Sequence, residues 1–436
     1  MSIIKWALVA LLVAVLAVVG INSFDEPLSP EAQAALRPPL PIPQQQNGYY
    51  AMLGFFAPAG TDMITRGIEI AQKYADASAP GSAADSKTST QSIEDTLAFR
   101  GDATLLCFPL KSGCLALALK NSDAVSRLLA QNKTLIDRYY SLATYPYFQE
   151  TTMPMLFGPL NVSVTALAYP HALILAKISR EFAVEDTTAA VEALARDLQF
   201  WRTLLSQKEN LLTKLIVIGT IRQDATLLSE FIRAKPIKSL PGILLQPLTV
   251  AERDFSYSLD AELRSEAQMF NKTNSDIKTD HRNFRALRGY FDTLFFKNNA
   301  TLNTAFVYYH DLAQSGELSG KDYENAKRRI EDKDQHFLGP RLIYNPIGKI
   351  LVAISVPGYL GEVDKIRDLD GLLRLAQLQF LIKQQGINDG AIPQFLQNAD
   401  KPLANPYTSQ PMAWDSRTRH LFFPIPGSSG RMEIAL

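Results

Sequence analysis

An uncharged apolar run from Trp6 to Ile21 opens the chain, preceded by Met-Ser-Ile-Ile-Lys and followed by Asp25 and Glu26. Counted from Ile3, with Lys5 able to reach its ammonium towards lipid headgroups, the run attains the lower limit for a bilayer-crossing helix. It predicts an anchor over residues 3 to 22, with Trp6 at the interface and the positive charge on the cytoplasmic side. Two other readings share the pattern. A cleaved signal peptide has the same charge order, with Val18-Val19-Gly20 as a poor cleavage site, and a core helix at the N-terminus would also be apolar. No cysteine follows the run closely, which excludes a lipoprotein. Residues 24–48 then carry Pro27, Pro30, Pro38, Pro39, Pro41 and Pro43. Proline stiffens a chain towards polyproline II, so this stretch reads as a semi-rigid spacer or as a loop lying flat on the domain.

Beyond it the helical period dominates. Thr61-Asp62 can cap a helix with Ile64, Ile68, Ala71 and Tyr74 on one face, and residues 79–91 read as an exposed loop. Residues 97–119 are short, apolar and hold both cysteines, as a β-excursion or a pinned loop. Asn121-Ser122 predicts a cap for one helix carrying Val125, Leu128, Leu129, Leu135, Ile136 and Tyr139. Val191, Leu194, Leu198, Trp201 and Leu205 form a buried stripe, and residues 211–221 a core helix in which Lys214 argues against a second span. Thr249-Val-Ala-Glu252 is a capping box. Residues 363–385 continue the pattern, with Gly371 its weak point, before Pro393, Pro402, Pro406 and Pro411 end helical structure. Segments around Leu421-Phe422-Phe423 and Met432 to Leu436 read as short strands, and no fixed-period repeat is present. The expectation is a mainly α protein: an anchor over residues 1–23, a proline-rich spacer over 24–48 and a multi-helix periplasmic domain over 49–436. A minor β element is expected near the cysteine loop and at the C-terminus, as a clasp over residues 403–436. Whether the domain is one unit or two stays open.

Composition removes some functions and adds one constraint. The 436 residues are 47% hydrophobic and 20% charged, with 44 basic and 44 acidic side chains. That balance argues against a nucleic-acid partner and against an acidic, disordered solvating chain. Cys107 and Cys114, the only cysteines, span a small loop, and in an oxidising compartment they form a structural disulfide; two buried thiols are the alternative. Neither a redox pair nor a zinc site has the needed spacing or partners.

Of the five histidines, His171, His281, His310, His336 and His420, none sits in a metal-binding motif. No metal or cofactor is expected. Ser275 to Lys278 matches S-x-x-K in what reads as a polar turn, without its partner motifs. Gly316 to Lys321 is one residue short of a phosphate loop, and Asp368-Leu-Asp370-Gly371 lacks the rest of a calcium loop. Four glycosylation sequons begin at Asn132, Asn161, Asn271 and Asn299, and mean little in a bacterial protein.

Several stretches resemble a group of uncharacterised bacterial envelope proteins with a single N-terminal span. They are Asn47-Gly-Tyr-Tyr-Ala-Met-Leu-Gly54, the Cys107/Cys114 loop leading into Asn132-Lys-Thr-Leu-Ile-Asp-Arg-Tyr139, Tyr344-Asn-Pro-Ile-Gly-Lys349, Asp368 to Leu375, and Asn405 to Asp415. The last is also similar to the ends of pseudopilin-like envelope proteins, although Ser409 stands where glycine is usual. The resemblance implies address and architecture without an activity. The expected role is an interaction or assembly component of the bacterial envelope, held in the inner membrane with its domain periplasmic and possessing an envelope protein partner. An envelope hydrolase with a site assembled from scattered residues, and a lipid or envelope-polymer binding module using Tyr139-Tyr140, Tyr145-Pro-Tyr147 or Tyr308-Tyr309, are the alternatives.

Overall fold

A computed structural model describes residues 2–78, 96–108, 113–151, 167–279, 294–318, 320–335, 340–426 and 430–436. The protein is mainly α-helical, and among the described residues its only sheet is a three-stranded antiparallel one near the C-terminus. The helices are α1 (Ser2–Ile21), α2 (Pro30–Ala35), α3 (Gly48–Leu53), α4 (Met63–Ser78), α5 (Cys114–Lys120), α6 (Ser122–Gln131), α7 (Lys133–Leu142) and α8 (Ala168–Val184). They continue with α9 (Thr187–Leu205), α10 (Leu211–Ala234), α11 (Val250–Arg253), α12 (Ser256–Thr279), α13 (Asn298–Glu317), α14 (Gly320–Gln335), α15 (Pro346–Gln385) and α16 (Ile392–Asn398). Two compact units emerge. The first takes Met1–Pro39, Phe255–Leu318 and Asp322–Val363; the second takes Leu40–Asp254, Ser319–Lys321 and Asp364–Leu436.

In the first unit α1 stands apart from the packing. Residues 3–17 are exposed on every face, and the helix stops at Asn22, which is fully buried. The Asn22 amide donates to Val18 O (2.9 Å) and Ile343 O (2.6 Å), and its carbonyl oxygen accepts from Asn345 N (3.0 Å). Asp25 then caps α13, accepting from Asn299 N (2.9 Å) and Ala300 N (3.1 Å). Carboxylates at a helix N-terminus satisfy free amides and meet the positive end of the dipole. Asn303 holds Pro27 O and Ser29 N, Ser29 caps α2, and Arg264 donates to Ala35 O (2.9 Å). The proline-rich residues up to Ala35 are therefore bonded along their length to α12 and α13.

In the second unit α7, α8, α9 and α10 pack on one another around a core that includes Leu173, Ile174, Leu194, Trp201 and Ile221. Asp186 caps α9 through Thr188 N and Ala189 N, and Asn210 caps α10 through Thr213 N. The capping box of α11 is present as the sequence predicts. Its Glu252 also pairs with Arg202 on α9 (2.6 Å), whose guanidinium donates to the carbonyls of Ile243, Gln246 and Pro247. Strands β1 (Ala413–Asp415), β2 (His420–Pro424) and β3 (Arg431–Ala435) form a meander with Leu421, Phe423, Met432 and Ile434 turned inward.

Four expectations need correction. Around the cysteine loop the described residues form a short 3-10 turn, Ala103–Leu105, and α5, with no strand. The helix predicted from Asn121 breaks at Asn132, whose amide is drawn to Arg100 O (2.7 Å) and accepts from Arg100 N (2.9 Å). Residues 271–279, read as a polar turn, continue α12. The helix predicted from residue 363 begins at Pro346 and runs through Pro357. Pro357 is exposed, so solvent can meet the backbone carbonyl it leaves without a donor.

Candidate functional site

The cysteines are joined, with Cα atoms 5.4 Å apart. The residues around both cysteines bond to α10: Glu230 accepts from Gly113 N (2.5 Å) and Leu115 N (2.9 Å), and Gln223 donates to Cys107 O. Gly113 turns at a φ of 90°, which glycine adopts freely. This is a structural staple, closed at the amide end of α5.

The chemically concentrated place lies elsewhere in the second unit. His171 on α8, Asp197 on α9 and Asp224 on α10 converge inside the helix core, each shielded from solvent. His171 Nε2 is 2.9 Å from Asp224 Oδ1 and 3.1 Å from Asp197 Oδ2. Only the Asp224 contact has hydrogen-bond geometry; Asp197 Oδ2 and Asp224 Oδ2 accept no hydrogen bond. The other Asp197 oxygen accepts from the Tyr139 hydroxyl on α7 (2.8 Å), which in turn accepts from Trp201 Nε1 (2.7 Å). Aromatic rings line the site: His171 lies 5.5 Å, centroid to centroid, from Trp201 and 6.4 Å from Tyr139, and Phe200 packs on both.

Such a low-dielectric enclosure strengthens every charge interaction. Burial by itself lowers the His171 pKa, but Asp224 and Asp197 outweigh it and raise it to about 10. Burial, then the neighbouring Asp197, pushes Asp224 up to about 7 against the pull of His171. Tyr139 is held well above the usual phenol range, by burial first and by the two carboxylates next. One imidazolium between two carboxylates leaves one negative charge uncompensated. The arrangement can hold a cation or retain a proton; it presents no reacting atom to solvent.

Among the described histidines, only His171 joins this cluster. His310 is exposed and lies against Phe306, His420 pairs through Nδ1 with Thr418 O, and His281 and His336 lie outside the described residues. Ser275 and Lys278 fall within α12; Asp368 and Asp370 fall within α15, where Asp368 accepts from the Tyr407 hydroxyl and Asp370 pairs with Arg374. Asn132 is buried on Arg100, and Asn299 bonds Glu26 O. Sequence reading missed the cluster because its members lie in three separate helices. One signal was present: Asp197 sits among Leu194, Leu198 and Trp201 on a stripe that is otherwise apolar, and a carboxylate there needs a buried partner.

Two further buried charges serve packing. Lys214 donates to Leu205 O at the end of α9 (2.8 Å), and Tyr309 donates to Glu266 (2.5 Å). A cavity lined by Asp311, Gln314, Ser315 and Arg329 offers about 30 Å³, enough for water and not for an organic ligand. No protein-family model, curated protein or solved structure matches the chain.

Proposed function

We propose that this is a bacterial inner-membrane protein anchored by α1, N-terminus cytoplasmic, whose two units lie in the periplasm as an interaction or assembly component of the envelope. The observation that carries this reading is the exposure of α1. A core helix buries one face, whereas Ile3 to Ile21 has a mean hydropathy of 2.6 and no residue buried. The other long apolar helix, α15, differs, because Ile366, Leu369, Leu373 and Ile382 are core residues of the second unit. Lys5 before α1, with Asp25 and Glu26 after it, supports the orientation, and the Cys107–Cys114 bond suits an oxidising compartment.

The test joins topology to partnership. A reporter fused after Leu436 is expected to be active only in the periplasm, and both thiols to resist alkylation in intact cells until reduced. In-cell crosslinking and co-purification from native membranes is expected to yield a stoichiometric envelope protein. Cytoplasmic reporter activity or free thiols would overturn the address, and a clean preparation without a partner would overturn the assembly role.

One observation favours a second reading, contact with lipid. Within the first unit, Ile343, Ile350, Leu351 and Ile354 form an exposed uncharged face that starts where Asn22 ties the end of α1 to Ile343 and Asn345. A nitroxide on Ile354→Cys should then be reached by oxygen from the bilayer more readily than by a water-soluble nickel chelate; the reverse order removes this reading.

A further inference from the structure

We propose that His171, Asp197 and Asp224 bind a divalent transition-metal ion that ties α8, α9 and α10 together inside the second unit. Three observations bear on it independently. The donors are of the right kind and in the right place: one imidazole nitrogen and two carboxylates, each from a different helix, with ligand atoms all within 4.8 Å of one another. Bonds of roughly 2.0–2.2 Å around a tetrahedral ion place its ligand atoms roughly 3.3 Å apart. The 2.9 and 3.1 Å separations at His171 Nε2 need to open by only a few tenths of an ångström.

Hydrogen bonding gives the second argument. Asp197 Oδ2 and Asp224 Oδ2 are buried and accept no hydrogen bond, although a carboxylate oxygen inside a protein core normally finds a donor. Asp197 Oδ2 has the 3.1 Å ion-pair contact with His171 Nε2 in place of a hydrogen bond, and a cation between the three side chains would serve both oxygens. The remaining Asp197 oxygen is already held by Tyr139, itself fixed by Trp201. That chain of donors orients the carboxylate in the way outer partners orient metal ligands.

Charge is the third argument. Two carboxylates in a site sealed by aromatic rings call for compensating positive charge, since buried net charge is costly. With neutral His171, two carboxylates and a divalent ion the sum is zero. The imidazole ligand suits Zn²⁺, and the two carboxylates also admit Mn²⁺; Ca²⁺ and Mg²⁺ prefer an all-oxygen set. The alternative that also reaches neutrality is a proton kept on one carboxylate beside the imidazolium.

The experiment is elemental analysis of the full-length protein purified in detergent without chelator. About one zinc or manganese ion per chain is expected. Dialysis against dipicolinate should remove the ion and lower the melting temperature, and adding Zn²⁺ or Mn²⁺ should restore it. Asp224→Asn and His171→Gln should lose the ion, while His310→Gln keeps it. Should the site variants fail to fold, the stripped wild-type protein titrated with each metal decides the matter. Fewer than about 0.1 ion per chain, together with no thermal response to either metal, overturns the proposal in favour of the retained proton.

Discussion

Individual side chains in this molecule differ sharply in what their removal should do. Arg202 forms a buried two-pronged pair with Glu252 and also serves three backbone carbonyls nearer the surface. Arg202→Met strands a buried carboxylate, so a loss of about 3–5 kcal/mol is expected in denaturant unfolding. Glu266 shows the opposite economy. Burial above all raises its pKa to about 7, with Glu262 adding to the rise and the Tyr309 hydroxyl opposing it. Between the ordinary 4.5 and 7 the folded protein therefore holds a proton that the unfolded chain has released. Stability from this group is fullest below pH 4.5 and falls as pH rises towards 7, by at most about 1.4 kcal/mol per pH unit. Glu266→Gln should flatten that slope, as read from urea midpoints between pH 4.5 and 8; an unchanged slope would place the titration elsewhere. Residue-level signals were legible where chemistry is local. Thr249 and Glu252 stand three apart and cap a helix as read. His171, Asp197 and Asp224 are joined only by the packing of three helices, which no spacing records.

At the scale of elements, the helical periods were readable and several boundaries were not. Asn132 interrupts a continuous apolar face because its amide serves the backbone of Arg100, a contact invisible in local sequence. The helix expected from residue 363 starts earlier, at Pro346, and α15 passes through Pro357 because that proline is exposed. Gly371, read as a weak point, has a steric purpose. A Cβ there would lie 2.3 Å from the Phe423 ring on β2. Gly371→Ala is therefore expected to destabilise the sheet-bearing end by about 1–3 kcal/mol despite alanine's better helix propensity. Gly219→Ala, inside α10 with nothing within 4 Å, is the matched control, and equal stability of the two variants would refute the steric account.

For the molecule as a whole, the mainly helical class and the C-terminal strands follow from periodicity, and the disulfide from two cysteines a short loop apart. The division into two units does not follow. The first joins Met1–Pro39 to chain beyond Phe255, across a long interval that belongs to the second unit, so no composition shift or linker marks it. The disulfide closes a loop of only a few residues in the second unit, and by loop-closure entropy contributes about 2–3 kcal/mol. Replacing both cysteines by alanine should cost that much in the unfolding of the unit that carries them. A much larger loss would mean that the Glu230 and Gln223 contacts are lost with it.

The buried amide of Asn22 has a consequence for motion. A helix joined to its domain through a flexible linker spins about its own axis without turning the domain. Here the last turn of α1 is bonded to Ile343 and Asn345, so in a bilayer the two must share one azimuth. Any neighbour that grips a particular side of α1 within the lipid would thereby fix the compass heading of the first unit above it.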